Sequence, residues 1–194
     1  MKKRLFVLAA LVMILAILAT GTLAYFTTKA VTHNVITTGS VGITVLEHQR
    51  LEDGTIETYP EGEVKVMPGS EISKIVTIRN DEAESYIRAC IEIIVTRAGE
   101  NPVVMTVEEA SEFMTINVNT SDWLTKEGDT KWLYYKKTVP TGQPTSELFT
   151  TVTFDGDSMD NDYMNCRIEI NIAGQAVQAA NNESTVLTAL GWPD

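Results

Sequence analysis

The chain has 194 residues and a net charge of −11, from 15 Lys and Arg against 26 Asp and Glu. With 44% apolar and 21% charged residues it is too hydrophobic to be disordered as a whole. The acidic surplus excludes non-specific nucleic-acid binding, which needs clustered cations to displace phosphate counterions. Two cysteines exclude a disulfide-dense scaffold and a zinc site built from four thiolates.

Lys2, Lys3 and Arg4 form a positive leader, residues 5–19 are uninterrupted apolar, and Thr22-Leu23-Ala24 is a small-x-small pattern before Tyr25. This is the pattern of a secretory signal helix over residues 1–24, cleaved between Ala24 and Tyr25. Uncleaved, the same stretch is long enough to hold the chain in a membrane, which would be its only membrane contact. Cleavage leaves 12 basic against 26 acidic side chains, a net charge of −14. The next segment, residues 25–39, has no acid. It carries Phe26, Val31, Val35 and Ile36, with no strong turn signal before Gly39.

From there the pattern is that of strands. Residues 85–97 alternate, with Ile87, Ala89, Ile91, Ile93 and Val95 on a dry side and Tyr86, Arg88, Cys90, Glu92 and Thr96 on a mostly wet one. Residues 164–173 alternate likewise, with Cys166, Ile168, Ile170 and Ile172 on the dry side. Shorter strands are expected over 41–46, 63–66, 72–79, 115–118, 131–139 and 147–154. Turn chemistry separates the runs at Asp53-Gly54, Pro68-Gly69, Gly128-Asp129 and Asp155-Gly156. Thr106 and Glu109 form a capping-box pattern that predicts a short helix over 107–113. Many strands with one dry face and almost no helix predict an all-β antiparallel sandwich, with a jelly roll and an Ig-like Greek key as candidates. The expected organisation is a signal peptide (1–24), an N-terminal segment (25–39), a β-sandwich domain (40–180) and a C-terminal tail (181–194).

No catalytic constellation stands out. His33 and His48 have no metal-ligand spacing, and no nucleophile has a base at recognisable distance. No enzyme activity and no cofactor are expected. Asp155, Asp157, Asp160 and Asp162 crowd one loop, and such oxygen-rich loops can take Ca²⁺. The twelfth position counted from Asp155 is Cys166 where an EF-hand needs Glu, so a solvated acidic turn is the preferred reading. Opposite faces for Cys90 and Cys166 predict two free thiols, with Cys166 the buried one. Asn119-Thr120-Ser121 and Asn182-Glu183-Ser184 match the glycosylation pattern, to which no function is attached. Trp123, Trp132, Tyr134 and Tyr135 are the one aromatic concentration, suited to a carbohydrate platform, an interface or core packing.

Several motifs come in one order: Gly21-Thr22-Leu23-Ala24 with Tyr25-Phe26, the run from His33 through Thr37-Thr38-Gly39 to Val41, Pro68-Gly69-Ser70, Arg79-Asn80, Tyr86-Ile87-Arg88, Asp122-Trp123, Tyr134-Tyr135-Lys136, Glu147-Leu148-Phe149 and Ala176-Val177-Gln178-Ala179. In this order the chain resembles, over nearly its whole length, the TasA/camelysin family of Gram-positive secreted proteins. The resemblance implies a jelly-roll-like sandwich, processing by a dedicated signal peptidase, and assembly into extracellular biofilm-matrix or cell-surface fibres. In such fibres the N-terminal strand, here with Phe26, Val31, Val35 and Ile36, inserts into a neighbouring copy or a related matrix subunit. A camelysin-like metalloendopeptidase and a monomeric surface adhesin are the competing expectations, the first without a zinc motif here.

Overall fold

The computed structural model describes residues 42–62, 64, 66–97, 100–159, 163 and 166–193. Among these residues ten strands and one helical turn follow in chain order: β1 (Ile43–Arg50), β2 (Ile56–Thr58), β3 (Glu71–Asn80), β4 (Ser85–Thr96), β5 (Val103–Met105), α1 (Val107–Ala110), β6 (Met114–Ile116), β7 (Trp123–Lys126), β8 (Asp129–Tyr135), β9 (Phe149–Phe154) and β10 (Arg167–Gln178). They form two antiparallel sheets, ordered β2-β1-β3-β9-β6 and β10-β4-β8-β7, with β5 also paired to β4. The chain is an all-β sandwich with one short helix.

The core lies between the sheets and follows from the alternation in β4. Ile87, Ala89, Ile91, Ile93 and Val95 are all buried, and each fully covered Ile or Val contributes about 1.5–3 kcal/mol. Val76 and Ile78 of β3, Phe149 and Val152 of β9, and Phe113 and Met114 meet them from the other side. The helical turn begins at the expected capping box: Glu109 N–H donates to Thr106 Oγ1 (3.2 Å), and Thr106 N–H donates to Glu109 Oε2 (2.7 Å). It stops at Ala110, earlier than predicted, and Phe113 turns into the core ahead of β6. At Asp53-Gly54, Gly54 takes φ +87°, the left-handed backbone a β-branched residue would resist, and this turns β1 back into β2.

Several expectations are corrected. Val64 and Val66 belong to no strand; Val66 packs on the core from a loop. The strand expected over 131–139 starts at Asp129 and ends at Tyr135; residues 136–138 leave the ladder, and Val139 rejoins β4 only through a single bridge to Ser85. β10 runs on to Gln178, past the expected end at 173, because Ala176 and Val177 continue its pairing with Ile87 and Tyr86. The presumed wet side of β4 is dry over half its length: Tyr86, Arg88 and Cys90 are buried. The tail beyond 180 folds over that half and forms a second small core, Val186 and Ala189 against Tyr86, Tyr134 and Val177.

Candidate functional site on an open side of the sandwich

The two long sides of the sandwich differ. On one, residues 117–122 carry the chain directly from β6 to β7 and close the gap between the sheets. Trp123 is buried there, its ring 5.2 Å from that of Tyr135 and its Nε1 donating to the Glu147 carbonyl at 3.2 Å.

The other side is bounded by β1 and β10. β10 ends its sheet, so among the described residues its twelve-residue outer edge has no strand partner. β2 pairs with β1 only at His48, Gln49 and Arg50, which leaves the outer edge of Ile43–Leu46 without a strand as well. The sheets touch near the start of β1. Gly174 has no Cβ, and one placed there would lie 2.9 Å from Ile43 Cδ1 and 3.4 Å from Ile78 Cδ1. Beyond that point the core-facing side chains of both edges, Val45, Ile168, Ile170 and Ile172, are only partly covered, whereas their counterparts on β4 are buried.

Further along, the β1 edge becomes polar. Glu47 pairs in register with Val76, and its Oε2 accepts from Lys74 Nζ at 2.7 Å. Lys74 is 6% exposed and lies 4.1 Å from the centre of the Tyr59 ring. Burial, and then the Glu47 charge, hold the Tyr59 phenol above its ordinary value. The register places Glu47 on the face of Val76, beside partly covered apolar groups. The sequence reading missed this because it ended the first strand at 46.

The sequence candidates fall as follows. Ala24, Tyr25, Phe26, Val31, Val35, Ile36 and His33 lie outside the described residues, as do Asp160 and Asp162. Asp155 is held within its own turn, its carboxylate accepting from Asp157 N–H (2.9 Å) and Ser158 Oγ (3.1 Å). These bonds keep its pKa below the usual carboxylate value, the Asp157 N–H first. Among the described residues no group of three or more His, Cys, Asp and Glu is placed to hold a metal ion. Both thiols are free, but the order of burial is the reverse of that expected. Cys90 is buried on the outer face of β4, and Cys166 is partly exposed just ahead of β10. Burial raises both thiols, Glu92 adding to the effect at Cys90 and Arg97 opposing it at Cys166.

The aromatic concentration divides between two faces. Trp123 and Tyr135 enter the main core, while Trp132 and Tyr134 lie on the outer face of the second sheet beneath the C-terminal tail. Among the described residues no helix is long and apolar enough to cross a membrane. No family model, no curated protein and no solved structure matches the chain.

Proposed function

We propose that the protein is a secreted structural subunit that polymerises outside the cell, residues 25–39 of one copy adding a strand to the open side of the next. The observation that carries this reading is the pair of strand edges, β1 and β10, without partners among the described residues on one side of the sandwich. Fifteen extended residues span about 50 Å, enough to cover a twelve-residue strand of about 40 Å. Main-chain hydrogen bonds would supply the pairing. Head-to-tail contacts that do not close a ring make open filaments, as the resemblance to TasA/camelysin proteins also implies.

Strand direction separates donation from folding back. β1 begins at the end of the sandwich where Asn80 leads to Ser85, and β10 ends there. A segment preceding Ile43 that doubled back on its own subunit would run parallel to β10. A segment passed forward to a copy stacked in the same orientation would run antiparallel to β10, the pairing with the more stable ladder.

The test uses protein starting at Tyr25, with Cys90 and Cys166 replaced by Ser. Phe26→Cys is combined with Gln178→Cys or with Glu169→Cys. Donation gives a ladder of disulfide-linked multimers with Gln178→Cys and none with Glu169→Cys. Monomeric cross-links with Glu169→Cys would overturn the reading. So would filaments, seen by electron microscopy, that persist after removal of residues 25–39.

A further inference from the structure

Arg88 sits in the first half of β4 at 9% exposure, and among the described residues no carboxylate lies within ion-pair distance of it. Half of its surroundings come from the sheet. Its Nε donates to Gln175 Oε1 of β10 at 2.7 Å, and Gln175 is itself buried. Its Nη1 donates to the Tyr134 hydroxyl at 3.3 Å, and that hydroxyl donates to Asp129 Oδ2 at 2.6 Å. The Trp132 ring lies 4.3 Å from the guanidinium carbon. These partners belong to paired strands and fix the plane of the fork without help from the tail.

The other half comes from Trp192 and Pro193. Nη2 donates to the Pro193 carbonyl at 2.8 Å, and the Trp192 ring lies 4.8 Å from the guanidinium carbon, its edge against Tyr134. The fit is imperfect: the Trp192 indole N–H is buried and has no hydrogen-bond partner among the described residues. A buried donor without an acceptor is a net loss, and a neutral carbonyl is a weaker partner for a guanidinium than a carboxylate. The tail therefore offers a ring and an oxygen to a preformed arginine fork, and offers both at less than full strength.

We propose that the outer face of the second sheet carries a binding site, centred on Arg88, for a ring bearing a carboxylate, and that Trp192 and Pro193 of the same chain occupy it as an autoinhibitory contact. The carboxylate takes the fork at Nη2, where Pro193 now lies, and the ring takes the stacking position of Trp192. The chain as a whole is acidic, but among the described residues the nearest carboxylate, Asp129, reaches the fork only through the Tyr134 hydroxyl, which leaves Nη2 without an anionic partner, and at physiological salt charges farther off are screened beyond about 8 Å. Asn182 would let the last residues leave while the tail stays. Its side chain holds the turn, donating to the Gln178 and Leu190 carbonyls and accepting from Leu190 N–H, ahead of Trp192.

The test compares the full-length protein with a version ending at Gly191, which removes the occupant and leaves Val186 and Ala189 in place. Galacturonate oligomers and indole-3-acetate are the two carboxylated rings, galactose and indole their neutral counterparts, and binding is read by calorimetry at physiological salt. The shortened chain is expected to bind one carboxylated ring at least about tenfold more tightly than the full chain. Which of the two binds tells sugar from aromatic ligand. Arg88→Lys in the shortened chain, which keeps the charge but lacks the planar fork, is expected to lose that gain. Equal affinity of full and shortened chains, equal affinity for the neutral rings, or full binding by Arg88→Lys each overturns the proposal. Should the shortened chain not fold, Trp192→Ala in the full chain is held to the same outcomes.

Discussion

Gly174 is the point where the two sheets meet on the open side, and the missing Cβ is what lets them meet. A side chain there would enter the space of Ile43 Cδ1, and both Ile43 and Ile78 are buried with little room to retreat. Gly174→Val should destabilise the fold by about 1–3 kcal/mol, read as a lower denaturant midpoint at unchanged slope. At the closed side, Asp122 anchors the crossing to β7. Its Oδ2 accepts from Ser146 Oγ at 2.8 Å, and Lys137 Nζ lies 3.5 Å from Oδ1. The Ser146 bond first, and Lys137 with it, hold the Asp122 pKa below its ordinary 3.8. A carboxylate depressed in the folded state adds stability above its unfolded value and loses it as pH falls through the folded one. Asp122→Asn should therefore lower Tm at pH 7, and the gap to the parent should shrink as the pH is taken below about 4. A gap that is constant with pH would place the role of Asp122 in shape and not in charge.

At the scale of elements, β4 and β10 share one alternation but not one environment. The core-facing isoleucines of β4, Ile87, Ile91 and Ile93, are covered from both neighbours and from the facing sheet. Those of β10 are at an edge and stay partly exposed. An inward-pointing charge is a common device for blocking edge pairing, and at an edge the monomer tolerates it. The proposed donated strand would gain about ten main-chain bonds at roughly 1 kcal/mol each. Ordering fifteen residues costs about 1–2 kcal/mol apiece, so the apolar side chains must decide the outcome. Ile170→Lys should thus abolish filaments in electron micrographs while leaving the far-ultraviolet circular dichroism of the monomer unchanged.

Alternation told the dry face of β4 residue by residue, and the capping box at Thr106 told where the helix begins. The wet face of β4 was misread because a period of two says which side chains share a face, not what later covers that face. β2 and β5, three residues each, are too short to show a period, and their pairing depends on a neighbour being present. The aromatic concentration was legible as composition, but its division between Trp123 inside and Trp132 outside follows from the register of β7 against β8.

For the whole molecule, charge sets the terms of association. Removal of the first 24 residues leaves a chain of net charge −14 that must, on the proposed function, stack on copies of itself. Like-charged subunits repel over about a Debye length, near 10 Å at 0.1 M salt and 30 Å at 0.01 M. Filament growth, followed by light scattering, should speed up as salt is raised from about 0.01 to 0.15 M. Slower growth with added salt would mean that ion pairs, and not strand pairing, hold the copies together.

By itself the sequence determined the class of fold, which side chains of the long strands share a face, the cap of the helical turn and the acidic character of the chain. Each of these depends on residues close together in the chain or on a simple count. Tertiary structure decided which strands became edges, which side of the sandwich is left open among the described residues, and that Arg88 lies beneath Trp192 and Pro193. Those outcomes rest on contacts between residues as far apart as Arg88 and Pro193, or Ile43 and Gly174. No local pattern encodes such contacts, because their energy exists only once the sheets have come together.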